Sequence, residues 1–185
     1  MLQALSEHSA RWEELWIQLI AALAPQLDEL LQSRLPSLRK MYVRYEDADI
    51  QLAVDSIKCF QTAPALVDAT VIRSPKPILL PAHRLTKYQV GCPWRDHEHA
   101  LNMATNLVEA HILIVSDDEP WPDRNNQPIN LHRLQRLYVS NMEILNYLKA
   151  PLVDELAVYT APPEDLLHPL KAFVAFIVHT TTVLL

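Results

Sequence analysis

The sequence predicts a mainly α fold of about five or six helices, packed as one bundle-like domain over residues 1–185 with a minor β or extended element around residues 64–92. The first observation is that glycine occurs once, at Gly91, while proline occurs 14 times. Chains poor in glycine lack the usual residue for tight β-hairpins. The second is that apolar residues recur at spacings of three and four over long stretches, which is the period of an amphipathic helix.

In the first half of the chain, this spacing predicts an amphipathic helix over residues 12–23. Prolines then start further helical segments over 25–35 and 36–45, because proline is tolerated in the first turn of a helix. Another helix is expected over 50–60. From residue 64 onward, prolines interrupt short β-branched pieces, which predicts extended chain.

In the second half, Pro93 suits the start of a helix that runs to about residue 111. A helix over 131–148 is capped by Asn130, and another helix begins near residue 163. No internal repeat is recognised. The alternative is an α+β fold, in which the second half alternates helices with strands near residues 112–115, 156–159 and 173–178.

Several enzyme classes are excluded by composition. With a single glycine, the chain cannot form a Walker A loop, a GxGxxG dinucleotide site, a GxSxG nucleophile elbow or a kinase glycine loop. Two cysteines, Cys59 and Cys92, provide neither a disulfide framework nor a four-cysteine zinc site. We expect ordinary reduced thiols, although Cys92 precedes a helix start that could activate it.

The cellular context follows from the two ends of the sequence. The first 14 residues carry acidic side chains and no basic region before an apolar stretch, so no secretory signal is expected and a cytoplasmic location is predicted. The apolar run 166–185 is interrupted by charged, proline and histidine residues. We interpret it as protein core and not as a membrane segment.

A candidate metal site consists of His97, His99 and Glu109, because histidine and carboxylate side chains are common ligands. On a helix His97 and His99 point about 200° apart, so they cannot share one ion. Distant histidines would have to complete the site. A metal-dependent helical enzyme centred on residues 96–111 is therefore the rival to the leading interpretation.

A candidate docking residue is Trp121, which is held between two prolines and would lose little entropy on binding. Folding back over the core is the alternative for this side chain. Charge is unevenly distributed: the net charge is −4 over residues 1–31, +5 over 32–95 and −7 over 96–185. The basic middle segment supports a weaker interpretation as a nucleic-acid-associated factor, which the overall charge of −6 opposes.

The function that remains is a non-enzymatic protein–protein interaction protein: a subunit of an assembly, an adaptor or an inhibitor of the immunity-protein type. This interpretation needs no cofactor, and only the rival enzyme needs a metal ion. The expected partner is another protein, with a homo-oligomer allowed. Neither nucleic acid nor a membrane is expected as a partner.

Overall fold

The computed structural model describes residues 7–46, 56–74, 76–115, 121 and 127–159, and parallel β-structure dominates them. Over these residues the chain has seven longer parallel strands, and its two α-helices have only eight and ten residues. The prediction of a mainly α bundle of five or six helices is wrong. The fold is α/β.

The chain forms two compact units, Met1–Leu85 and Thr86–Leu185. One domain over residues 1–185 stays a prediction.

The first unit contains three strands that pair in parallel in the order of the sequence. Helix α1, Ala24–Leu31, follows the first strand and has a proline in its first turn. Short 3-10 helices lie at Ser9–Arg11, Ala21–Leu23 and Ala82–Arg84. The strands are β1 (Glu14–Leu19), β2 (Lys40–Tyr45) and β3 (Asp68–Ile72).

The second unit contains four strands that also pair in parallel and in sequence order. Helix α2, Trp94–Met103, follows the first of them, and a 3-10 helix covers Met142–Tyr147. The four strands are β4 (Lys87–Cys92), β5 (Glu109–Ile114), β7 (Arg136–Val139) and β9 (Glu155–Val158). Two further short strands, β6 (Ile129–Asn130) and β8 (Leu148–Lys149), pair separately with each other.

A turn followed by a strand recurs seven times along the described chain. In each copy the N–H of one residue donates to the carbonyl three residues earlier, as from Leu107 to Ala104 at 3.2 Å. Counted from the donor residue, apolar residues follow at the third and fifth positions, both of them on the strand. The residues that open the seven copies are Ser9, Leu35, Ala63, Ala82, Ala104, Leu131 and Ala150.

Within each unit, the same joint connects one copy to the next. The carbonyl of the residue before a strand accepts two N–H groups at the start of the next strand, as Val108 does from Gln135 at 2.9 Å and Arg136 at 3.1 Å. Equivalent pairs of bonds end on the carbonyls of Glu13, Arg39, Thr86 and Gln135. Because these bonds use backbone atoms, the two donor positions of the joint accept any residue except proline, which has no N–H.

These copies make the chain a repeat protein, in contrast to the prediction of no internal repeat. Successive copies begin 19 to 28 residues apart, and this irregular period hides the repeat from a search at fixed spacing. The pattern resembles leucine-rich repeats, in which units of roughly 20–29 residues each contribute one strand. The likeness concerns the fold only.

Three of the expected helices are turns and strands instead. Residues 12–23 contain β1, residues 36–45 contain β2, and residues 131–148 contain β7 and the 3-10 helix. The turn places apolar residues three apart, as in Leu131, Leu134 and Leu137, and this spacing imitates one face of a helix. The strand itself alternates buried and open positions, the period of two that identifies β-structure.

Other elements lie nearer to their predicted places. Helix α2 begins after Pro93 as expected but ends at Met103, and the chain from Glu109 is a strand. The extended region 64–92 contains β3 and β4, and the alternative strands near 112–115 and 156–159 correspond to β5 and β9. The expected strand 173–178, the helix from residue 163 and most of the helix 50–60 lie outside the described residues.

None of the helices that the structure describes is long and apolar enough to cross a membrane.

Candidate functional site

Most of the strands have one face on the core and one face turned away from it, here called the open face. In β2, for example, Met41 and Val43 are buried, whereas Lys40 and Tyr42 on the alternate positions are not. In β3 only Asp68 is not buried. Because strands in register bring equivalent positions side by side, open-face side chains form rows across neighbouring strands. These rows are the candidate functional site.

The open face of the first unit carries an aromatic pair. Trp16 of β1 lies opposite Tyr42 of β2, and the two rings stack with centroids 5.1 Å apart and planes 18° apart. The Trp16 side chain remains 72% exposed. A large aromatic residue held in one orientation but open to solvent is a typical anchor of protein–protein interfaces.

Polar groups lie on both sides of this aromatic pair. Lys40 Nζ contacts Glu14 Oε1 at 3.1 Å, and Gln18 Nε2 donates to Glu46 Oε1 at 2.6 Å. The side-chain hydrogen bond and the charge of Lys40 lower the pKa of Glu14. An apolar centre with a polar rim is the ordinary composition of a recognition surface.

The open face of the second unit carries one charged residue at the start of each strand: Lys87, Glu109, Arg136 and Glu155. Their signs alternate, and we call this row the charge ladder. Glu109 accepts from Lys87 Nζ at 2.9 Å and from Arg136 Nη2 at 2.8 Å. Burial acts to raise the pKa of Glu109, but hydrogen bonds from Lys87 and His111 outweigh it and hold the pKa below its ordinary value.

His111 forms the centre of the next row. Its ring stacks on Tyr138 with centroids 4.1 Å apart, its Nε2 lies 3.0 Å from Glu109 Oε1, and its Nδ1 lies 3.0 Å from the Tyr159 hydroxyl. With Glu109 ionised, Nε2 donates to the carboxylate and Nδ1 accepts from the tyrosine. Burial lowers the pKa of His111, and Glu109 opposes this only in part.

The tyrosines of this face are held as hydrogen-bond donors. The Tyr138 hydroxyl donates to Glu155 Oε1, and burial together with this bond raises its pKa. Burial raises the pKa of Tyr159 to about 12. Both hydroxyls therefore stay protonated near neutral pH, and each ring is fixed in place by its bond.

The predicted metal ligands do not come together. His97 is fully buried: its Nε2 donates to the Leu113 carbonyl at 3.2 Å, and its Nδ1 accepts from the Tyr88 hydroxyl at 2.8 Å. His99 is exposed on α2. Glu109 lies on a strand and is engaged by Lys87 and Arg136. In the part of the chain that the structure describes, no three His, Cys, Asp or Glu residues form a group that could hold a metal ion.

The cysteine and tryptophan candidates lie in packed surroundings. Cys92 is buried, and burial raises the pKa of its thiol, which is the opposite of the activation considered from sequence. Trp121 is partly exposed and stacks on Tyr147 with centroids 5.7 Å apart, and Trp94 lies at the same distance. The predicted role of Trp121 in docking a partner stays a prediction.

Sequence reasoning missed most of the open face, including Trp16, Tyr42, Lys87, Arg136 and Tyr138. A signal was present: in each copy of the repeat the residue that begins the strand is polar and charged, directly before an apolar position. Recognition of that signal requires alignment of the copies first. Comparisons with protein-family models, curated proteins and solved structures find no match for the chain.

Proposed function

We propose that the protein is an interaction protein that binds a protein partner through the open faces of its strands. The observation that carries this proposal is the stacked pair of Trp16 and Tyr42, with Trp16 72% exposed on a sheet surface. Trp and Tyr are enriched among the residues that dominate the binding energy of protein–protein interfaces.

The surroundings of this pair also support the proposal. The Glu14–Lys40 ion pair and the Gln18–Glu46 hydrogen bond border the rings, so a partner that covers Trp16 would also meet oriented polar groups. Strand-borne side chains are held more rigidly than those of loops. A rigid surface loses less entropy on binding, which favours affinity.

The rival functions receive less support from these residues. The candidate metal ligands are separated, and three cations of the basic middle segment have partners within the chain. Lys40 pairs with Glu14, and Lys87 pairs with Glu109. Arg84 donates to the Pro64 carbonyl at 2.7 Å.

The test is partner recovery with matched variants. The tagged chain is expressed in its own host, and the purified material is analysed by native mass spectrometry at moderate salt. We expect one stoichiometric protein partner with the wild type and with Leu152→Ser, which alters an exposed residue outside the open face. Trp16→Ala should weaken binding roughly 30-fold, as expected for a central anchor worth about 2 kcal/mol.

Because Trp16 is mostly exposed, its replacement should leave the unfolding transition nearly unchanged. This control separates loss of binding from loss of fold. Partner binding that is equal in the wild type and in Trp16→Ala would contradict the proposed surface. Absence of any protein partner under these conditions would contradict the function itself.

A further inference from the structure

The charge ladder has a symmetry that selects a binding partner. Its four residues lie in register on four neighbouring parallel strands, and their charges read plus, minus, plus, minus from β4 to β9. When a second copy of this row is placed opposite the first in reversed order, every positive charge faces a negative charge. We propose that the open face of the second unit binds a second copy of the chain, ladder against ladder.

The sign pattern also fixes the geometry of this dimer. A two-fold axis that runs parallel to the strands, midway between β5 and β7, reverses the order of the row in the second copy. Lys87 then faces Glu155 of the second copy, and Glu109 faces its Arg136. A two-fold axis across the strands would instead place each residue opposite itself, with like charges in contact, so the first arrangement is favoured.

The next row is compatible with the same arrangement. His111 and Tyr138 occupy register positions on β5 and β7 and stack on each other within the chain. The same rotation brings His111 of one copy opposite Tyr138 of the other. The two stacked pairs would then cover one another and remove aromatic surface from water beside the ladder.

The ladder retains unused binding capacity. Lys87 and Arg136 are 38% and 48% exposed, whereas the Glu109 carboxylate between them is 12% exposed. An ammonium group has three donors and a guanidinium group has five. The contact described for each cation with Glu109 uses one of these donors, which leaves others to reach across an interface.

The size of the face sets the expected affinity. Four strands about 4.8 Å apart, with open side chains over two pleats, present roughly 300 Å². This is less than the roughly 800 Å² per partner of a standard stable interface. The dimer should therefore be weak and reversible, with a dissociation constant of roughly 10 µM to 1 mM.

The test uses sedimentation velocity on the full chain from about 5 µM to about 500 µM, a range set by that affinity. The wild type should shift from monomer to dimer across it. Lys87→Glu and Glu155→Lys should each remain monomeric, because each places two pairs of like charges at the interface. A 1:1 mixture of these two variants should regain the dimer, since every facing pair is then opposite in sign.

Two controls keep the test decisive. Lys149→Glu makes the same change in charge at an exposed position outside the ladder and should leave the dimer unchanged. If either charge reversal unfolds the chain, the neutral variants Lys87→Gln and Glu155→Gln replace it and should weaken the dimer at least threefold. Unfolding curves identify which set to use.

A wild type that stays monomeric to the highest concentration would overturn the proposal. So would a dimer that the ladder variants leave intact, because its interface would lie elsewhere. The inference rests on the proposed function only in using the open face for binding. A chain that stays monomeric but binds a partner through Trp16 would contradict the dimer and leave the proposed function intact. A ladder dimer in a chain that binds no other protein would support the dimer and contradict the proposed function.

Discussion

His97 shows how a side chain suited to chemistry serves the fold instead. It sits on α2 with no exposed surface and connects Tyr88 of β4 to Leu113 of β5 through its two ring nitrogens. Because Nε2 donates and Nδ1 accepts, these bonds need the neutral ring. Burial lowers the pKa of His97 from 6.5 to about 4.

Stability should therefore depend on pH through His97. Since its pKa is 6.5 when unfolded and about 4 when folded, the unfolded chain binds the proton first as pH falls. The free energy of unfolding should drop by about 3 kcal/mol across this window and then level off. We expect His97→Asn to cost about 1–3 kcal/mol at pH 7 and to remove most of that pH dependence.

Urea unfolding between pH 7.5 and pH 4 measures this effect. His99→Asn is the matched control, because His99 is exposed two residues away on the same helix. It should retain the wild-type pH dependence. Equal pH dependence in both variants would show that His97 is not the group that titrates.

Glu109 shows what sequence could and could not predict about the site. Its selection as a functional candidate identified a residue of the open face, and its role as a metal ligand stays a prediction. Its contacts with Lys87 and Arg136 come from residues 22 and 27 positions away along the chain. Those separations depend on the lengths of the intervening connections, which vary between copies, so spacing on a single predicted helix could not reveal them.

At the scale of elements, the turn before each strand explains most of the wrong assignments. Its apolar residues lie three positions apart, and this spacing continues to the first buried residue of the strand. The same spacing occurs on one face of a helix, so the first apolar residues do not distinguish the two structures. Signals with one local cause were more successful: proline at a helix start placed α1 and α2, and β-branched pieces between residues 64 and 92 marked β3 and β4. Which pattern applied depended on tertiary packing, which a single window does not contain.

Connections between elements depend on specific caps. Asp28 of α1 accepts from the backbone N–H groups of Lys58 at 2.6 Å and Cys59 at 2.5 Å, and thereby holds a distant turn against the helix. Asp28→Ala should lower the free energy of unfolding by about 1–3 kcal/mol, because two amide groups lose their acceptor. Chemical denaturation measures the loss.

The neighbouring variant Glu29→Ala is the control for Asp28, since Glu29 is exposed on the same helix. Asp28→Asn should fall between the two, because it keeps an acceptor oxygen without the charge. A cost for Glu29→Ala as large as that for Asp28→Ala would assign the effect to helix propensity and not to the cap.

At the scale of the whole molecule, burial follows the order of the copies. Positions equivalent along the repeat are almost fully buried in the middle copies of the described chain, as at Leu38, Leu66, Leu107 and Leu134, whereas Val153 in the last described copy is partly exposed. In a repeat protein each copy contacts mainly its neighbours, so burial differs from copy to copy with the contacts that each copy makes.

The gradient can be tested with one substitution made at two equivalent sites. Leu137 and Leu156 occupy the same repeat position and face each other in register across β7 and β9, but Leu137 is 3% exposed and Leu156 is partly exposed. Leu137→Ala should cost about 2–5 kcal/mol, the range for a buried leucine, and Leu156→Ala about half as much. Urea unfolding of both full-length variants gives the comparison. The two variants lose the same side chain at equivalent positions of paired strands. Equal losses in the free energy of unfolding would therefore show that β9 is packed as tightly as β7.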